Sequence, residues 1–221
     1  MAAEGMKLYT YWRSSAAYRV RIALNLKGLP HELVPVNIAP SSDEQHSGEF
    51  RSMNPQSMVP VLFDGERVIR QSLAIIEYLD ETYAGPRLLP VTARERARVR
   101  SLALIVACDI HPLNNLRVQQ YLEREFNTPQ VERERWMRHW IETGLIVLED
   151  LLKTNPSTGT FCEGDTPSVA DLCLIPQTYN ALRHAIDLGP FPIIKRIYEH
   201  CLTLPAFDRA RPENQPDAPR S

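Results

Sequence analysis

The stretch YWRSSAAYRVRIALNLKG, residues 11–28, sets Arg13, Ser14 and Ser15 between a short apolar run and an amphipathic helical pattern. Val20, Ile22, Ala23, Leu24 and Leu26 carry the pattern, and Gly28 stops it. A helix that begins near Ser15 leaves its first backbone N–H groups unpaired and turns the positive end of its dipole toward the serines. Such an end favours a bound anion. A thiol held there, with an ordinary pKa near ~8.5, is shifted toward thiolate at neutral pH. A strand-to-helix turn of thioredoxin type would carry reactive cysteines at this place, yet the chain has serines and alanines. These residues alone leave open where a nucleophile would be.

The chain's own thiols do not form a recognisable site. Cys108, Cys162, Cys173 and Cys201 are widely spaced and make no CxxC pair, so neither a disulfide framework nor a zinc site is expected. The six histidines are scattered, with no HExxH and no His/carboxylate cluster, and no metal is expected. Arginine outnumbers lysine 21 to 4, so a role for any one arginine needs positional support. Arg94, Arg96, Arg98 and Arg100 stand at every second position, which turns through about 200° per step on a helix and sends them to opposite faces. They make no nucleic-acid stripe. A formal net charge of -2 gives no reason to expect a polyanionic partner.

The elements that must position the serines follow from local patterning. MKLYTYW reads as a strand, HELVPVNI as a second extended segment, and VPVLFDGERVIRQS as two strands joined around Asp64 and Gly65. SLAIIEYLDETY reads as a helix with Ser72 as its N-cap and Leu73, Ile76 and Leu79 facing inward. AGPRLLP, Ala84 to Pro90, is the natural linker, which gives domains at 1–88 and 93–221. Beyond it long helical patterns dominate, near 93–124, 130–154, 168–185 and 190–202. Ser168 and Asp171 form an S-x-x-D cap in which Asp171 is structural, and Trp136 and Trp140 read as helix packing. The tail from Arg211 reads as extended on the surface.

The chain has 221 residues, 43% of them hydrophobic and 24% charged, and no apolar run approaches the ~18 residues of a membrane span. Met1 to Gly5 has no basic start and no apolar core of a signal peptide, so the protein is read as cytoplasmic. Met6 followed by Lys7 offers a second start, which makes the first five residues a loose terminus.

Taken in order, YWRSSAAYRVRIALNLKGLP, NPQSMVPVL, QSLAIIEYLDE, CDIHPLNNLRV and GDTPSVADLCLIPQ resemble the zeta class of the glutathione transferases. The resemblance implies an α/β thioredoxin-like N-terminal domain, an all-α C-terminal domain, glutathione as cofactor and a homodimer. It implies a glutathione-dependent cis–trans isomerase for maleylacetoacetate in aromatic amino acid catabolism. The alternatives are maleylpyruvate as substrate, or a general glutathione transferase or haloacid dehalogenase. A non-catalytic protein of the same fold is the remaining possibility.

The resemblance also distributes roles. The nucleophile becomes the cysteinyl sulfur of glutathione, with Ser14, or less readily Ser15, donating a hydrogen bond to it. Many members of the class carry a cysteine where this chain has Ala16, which leaves activation to the serine and the helix end. Val59, before a proline that is cis in the family, would pair with the tripeptide backbone, while Gln71 and Ser72 would hold its γ-glutamyl end and Gln45 its glycyl carboxylate. Arg13, Arg117 and Arg183 match anion-binding positions, where a rigid guanidinium fork suits each carboxylate of the substrate. The other eighteen arginines are expected to be solvated surface residues. His111 and Asn115, at i and i+4, would share a helical face as glutathione-side contacts if a helix ran on through Pro112.

Overall fold

The computed structural model describes residues 5–219, so most of the proposed loose terminus, residues 1–4, lies outside the described residues. The described residues divide into two compact units, one running to Leu88 and resuming at Leu202, the other Leu89–Cys201.

The first unit is built on a four-stranded sheet. Its strands are β1 (Lys7–Thr10), β2 (Glu32–Pro35), β3 (Val61–Asp64) and β4 (Arg67–Arg70), in the order β2-β1-β3-β4. β1 runs parallel to β2 and antiparallel to β3, with Leu8 opposite Leu33 on one side and Leu62 on the other. β3 and β4 form the expected hairpin, turning at Gly65 with φ +59. The parallel pair needs a crossover, and α1 (Ser15–Leu26) supplies it. α1 packs against α3 (Ser72–Thr82), and Ala17, Val20, Ile22, Leu24, Ile75, Ile76 and Leu79 are fully buried.

The middle stretch, undefined by pattern, contains a 3-10 turn, Glu44–His46, and α2 (Gly48–Met53) capped by the Ser47 hydroxyl. Phe50 of α2 joins Tyr11, Val36, Val59 and Val61 in a buried cluster.

The last residues return to this unit rather than forming part of the second. The proline-rich tail is not an extended surface segment. α9 (Pro205–Ala210) packs on α1: Asn25 donates to the Ala206 carbonyl at 2.9 Å and Arg21 Nε to that of Ala210 at 3.1 Å. Asp217 then accepts the Trp12 amide at 2.8 Å, and Pro212 and Gln215 are buried. Polar composition suggested solvent, but Asp217, bonded to the β1–α1 turn, and Gln215, whose amide donates to the Arg209 and Arg211 carbonyls, fix the tail behind α9.

The second unit is helical: α4 (Ala93–Leu104), α5 (Leu116–Phe126), α6 (Gln130–Thr154), α7 (Val169–Arg183) and α8 (Pro192–Leu202). The expected helix over 93–124 is interrupted. A π-helical turn, Ile105–Ile110, gives way to a 3-10 turn, His111–Asn114. Pro112 has no N–H for an α-helical bond, and Asn115 starts α5 anew by accepting the Arg117 amide at 3.2 Å. His111 and Asn115 therefore do not share a continuous α-helical face. α6 secures this break: Trp136 Nε1 donates to the Leu113 carbonyl at 2.8 Å, and Gly144 leaves room for Ile110.

Asp171 caps α7 as expected, completing the capping box with Ser168 and also accepting the Cys162 amide at 2.8 Å. Glu149 of α6 accepts the amides of Ile193 and Ile194, each at 3.0 Å, and so caps α8.

Candidate active site

In the first unit Arg13, Ser14 and Ser15 stand at one helix start and Gln71 and Ser72 at another. Ser14 is the N-cap of α1: its backbone is extended, and its Oγ accepts the Ala17 amide at 3.2 Å. Ser15 opens the helix, both serines are half-buried, and Arg13 is exposed with its guanidinium 5.6 Å from the Trp12 ring centre. Arg21 locks the approach to this turn. Its Nη1 donates to Thr10 Oγ1 and the Tyr11 carbonyl, and its Nη2 to the Trp12 carbonyl at 3.0 Å. Burial draws its pKa down to about 10, still cationic at neutral pH.

The start of α3 differs from expectation. Ser72 is the first helical residue, and the N-cap is Gln71, which makes no capping bond and sits at φ 70, ψ 121. Positive φ is costly for a residue with a side chain and tends to persist at ligand clamps. The Gln71 amide donates to Gln56 at 2.8 Å, while Ser72 Oγ accepts from Arg19 Nη1 at 3.2 Å. Arg19 bridges the two helices, and its Nε and Nη2 are buried without a partner.

Arg19 and Arg21 thus correct the expectation that the remaining arginines are solvated: they are 2% and 1% exposed. A compositional excess of arginine hid them, although their places on the apolar side of the α1 pattern were a usable signal.

Val59 is buried in the cluster under β3, and the Val59–Pro60 bond is cis. Gln45 is buried as well, its amide donating to Asp43 at 2.8 Å and its Oε1 unpartnered. The predicted residues of this unit thus stand at the α1 start, the β3 entry, the α3 start and the Glu44–His46 turn.

In the second unit, half-buried His111 opens the 3-10 turn and Asn115 spends its side-chain oxygen as the α5 cap. Arg117 is exposed in the first turn of α5, and Arg183 is exposed at the end of α7, donating to Asn180 at 3.2 Å. Two of the chain's thiols, Cys162 and Cys201, are poor nucleophiles. Burial, reinforced by Asp171, pushes Cys162 and Cys201 up, and Cys173 is buried; Cys108 is exposed in the π-helical turn. Among the described residues no group of His, Cys, Asp and Glu comes together to hold a metal.

Known proteins resemble the chain in sequence and in fold. Residues 8–87 match the family model described as Glutathione S-transferase, N-terminal domain. A Vibrio cholerae protein named Probable maleylacetoacetate isomerase is 51% identical over 96% of this chain and 97% of its own length. The solved holo structure of a maleyl pyruvate isomerase, described as a bacterial glutathione-S-transferase in zeta class, superposes with a TM-score of 0.93 at 45% identity, covering 96% of this chain and 100% of that one. An Anaeromyxobacter dehalogenans maleylacetoacetate isomerase, solved with dicarboxyethyl glutathione and citrate in the active site, superposes with a TM-score of 0.85 at 40% identity, covering 97% and 94%.

Proposed function

The chain belongs to the zeta class of the glutathione transferases, and from that membership we propose that it is a glutathione-dependent cis–trans isomerase converting maleylacetoacetate to fumarylacetoacetate. The observation that carries the reading is the start of α1, where Ser14 and Ser15 face an anion-favouring helix end with no cysteine in the turn. The residues present fit glutathione: a second helix start lies at Ser72, and the buried Arg19 nitrogens beside it lack an acceptor.

Val59 would pair with the peptide backbone of glutathione, Gln71 and Ser72 would hold its γ-glutamyl end, and Gln45 its glycyl end. His111 and the Asn115 amide would add polar contacts. Bound glutathione supplies a sulfur nucleophile whose reversible addition turns the substrate's cis double bond into a rotatable single bond. Ser14 donates its hydroxyl proton toward that sulfur, and the α1 dipole favours the thiolate over the thiol. Ser15 is the second hydroxyl at the same helix end. Arg13, Arg117 and Arg183 pair with the carboxylates and with the charge that develops on the keto oxygens. No proton need be lost overall, so the chain supplies donors and positive charge rather than a strong base.

Maleylpyruvate is the second substrate reading, favoured by the 45% identity to the maleyl pyruvate isomerase and by Arg117 in its sequence context. Steady-state turnover of the two keto acids, side by side with saturating glutathione, tests the assignment. The expected result is a higher kcat/KM for maleylacetoacetate, and a preference for maleylpyruvate would reverse it. We further propose that the protein works as a cytoplasmic homodimer, as the class resemblance implies; none of its described helices is long and apolar enough to cross a membrane. Sedimentation at micromolar concentration checks the dimer.

A further inference from the structure

Arg19 and Arg21 stand two residues apart on α1, are equally buried, and are treated in opposite ways by the rest of the chain. Every side-chain nitrogen of Arg21 donates to an oxygen of the protein. Arg19 has one acceptor, Ser72 Oγ, while its Nε and Nη2 have none, and among the described residues no carboxylate lies within ion-pair distance. A buried guanidinium with open N–H groups is costly unless something completes it.

Its surroundings indicate what completes it. A guanidinium is donor-only, so the Ser72 hydroxyl is the acceptor in their bond and its single proton must serve another group. Ser72 opens the 11-residue helix α3, whose first N–H groups have no partner within the helix. The neighbouring Gln71 holds a backbone conformation rare for a residue with a side chain. The open nitrogens of Arg19, the Ser72 proton and the helix start are all donors. Such a set accepts an anion with several lone pairs, which describes a carboxylate.

Resting on the glutathione reading above, we propose that Arg19 is a positioning residue for glutathione: it orients the Ser72 proton and supplies the buried positive charge that the α-carboxylate of the γ-glutamyl residue completes. The carboxylate is thereby recognised by charge from beneath as well as by the helix start.

Calorimetric titration of the full chain with glutathione, and with 4-aminobutanoyl-cysteinyl-glycine, which lacks that carboxylate, tests this. Wild type should bind glutathione about tenfold or more tightly than the analogue. Arg19→Met should lose that preference, and Arg19→Lys should recover part of it. Without ligand, Arg19→Met should melt at or above the wild-type temperature, because an uncompensated buried charge is replaced by an apolar chain. The inference is overturned if Arg19→Met keeps the preference, or if it fails to fold or melts lower, which would mark a purely structural arginine. A wild-type protein that binds neither compound would instead overturn the glutathione reading itself.

Discussion

The Ser14 hydroxyl oxygen accepts the Ala17 amide at 3.2 Å, so capping α1 and donating to a thiolate are compatible uses of one side chain. A lone pair faces the helix and the proton is left for the ligand. Ser14→Ala removes both, and should cost about 1 kcal/mol of stability and about ten- to a hundredfold in rate. Ser14→Asp keeps a capping acceptor and should melt near wild type, yet its carboxylate repels the thiolate and the rate should fall at least as far. Melting curves and initial rates on the two variants separate the uses; full activity in both would remove Ser14 from the chemistry.

Arg183 lies exposed at the end of α7, where truncation should leave the fold within about 0.5 kcal/mol of wild type. Arg183→Ala should raise KM for the keto dicarboxylate about tenfold and leave KM for glutathione unchanged. Arg183→Lys should restore only part, since an ammonium lacks the two-pronged geometry. Equal changes in both Michaelis constants would place Arg183 outside substrate recognition.

Gly144 exists for Ile110. A Cβ at residue 144 would stand 2.2 Å from Ile110 Cδ1 and 2.3 Å from Cγ1, and Ile110 directly precedes His111. Overpacking of this kind costs ~1–3 kcal/mol, against a helix-propensity gain of about 1 kcal/mol. In a urea-denaturation double-mutant cycle, Ile110→Ala should therefore cost less in the Gly144→Ala background than alone. Additive costs would show that the notch does not hold the interrupted helix.

Asp171 is fully buried, and burial pushes its carboxyl above the ordinary value of 3.8, opposed by donors from Cys162 and Ser168. With the folded pKa above the unfolded one, the native state holds the extra proton, so stability falls as pH rises from about 4 through the folded pKa. Asp171→Asn removes that titration and presents an NH2 group to donors, costing about 1–3 kcal/mol. The stability gap between wild type and variant, read from urea midpoints, should narrow as pH rises over this window. A constant gap would contradict the raised pKa.

Much of the first unit was legible from pattern. The Asp64–Gly65 hairpin, the apolar rhythm of α1 and the helix after Gln71 all depend on neighbours in sequence, which is where propensity acts. What pattern missed depends on partners far along the chain. The tail looked like solvent because Asp217 finds the Trp12 amide 205 residues away. Arg19 and Arg21 looked like composition because their acceptors lie on α3, α9 and the β1–α1 turn. The break at Pro112 was visible as a proline, but its form, a π-helical turn followed by a 3-10 turn, depends on Ile110 and Leu113 meeting α6. Gln71 carries no sequence signal for positive φ, since glutamine rarely adopts it.

The decisive measurement is turnover of maleylacetoacetate by protein freed of small-molecule thiols, as glutathione is added back. Turnover should be absent without glutathione and rise saturably with it, in wild type and equally in Cys108→Ser, whose residue is the exposed thiol of the chain. Isomerisation at full rate without glutathione would mean that the nucleophile is the protein's own and that the start of α1 does not serve a borrowed thiolate.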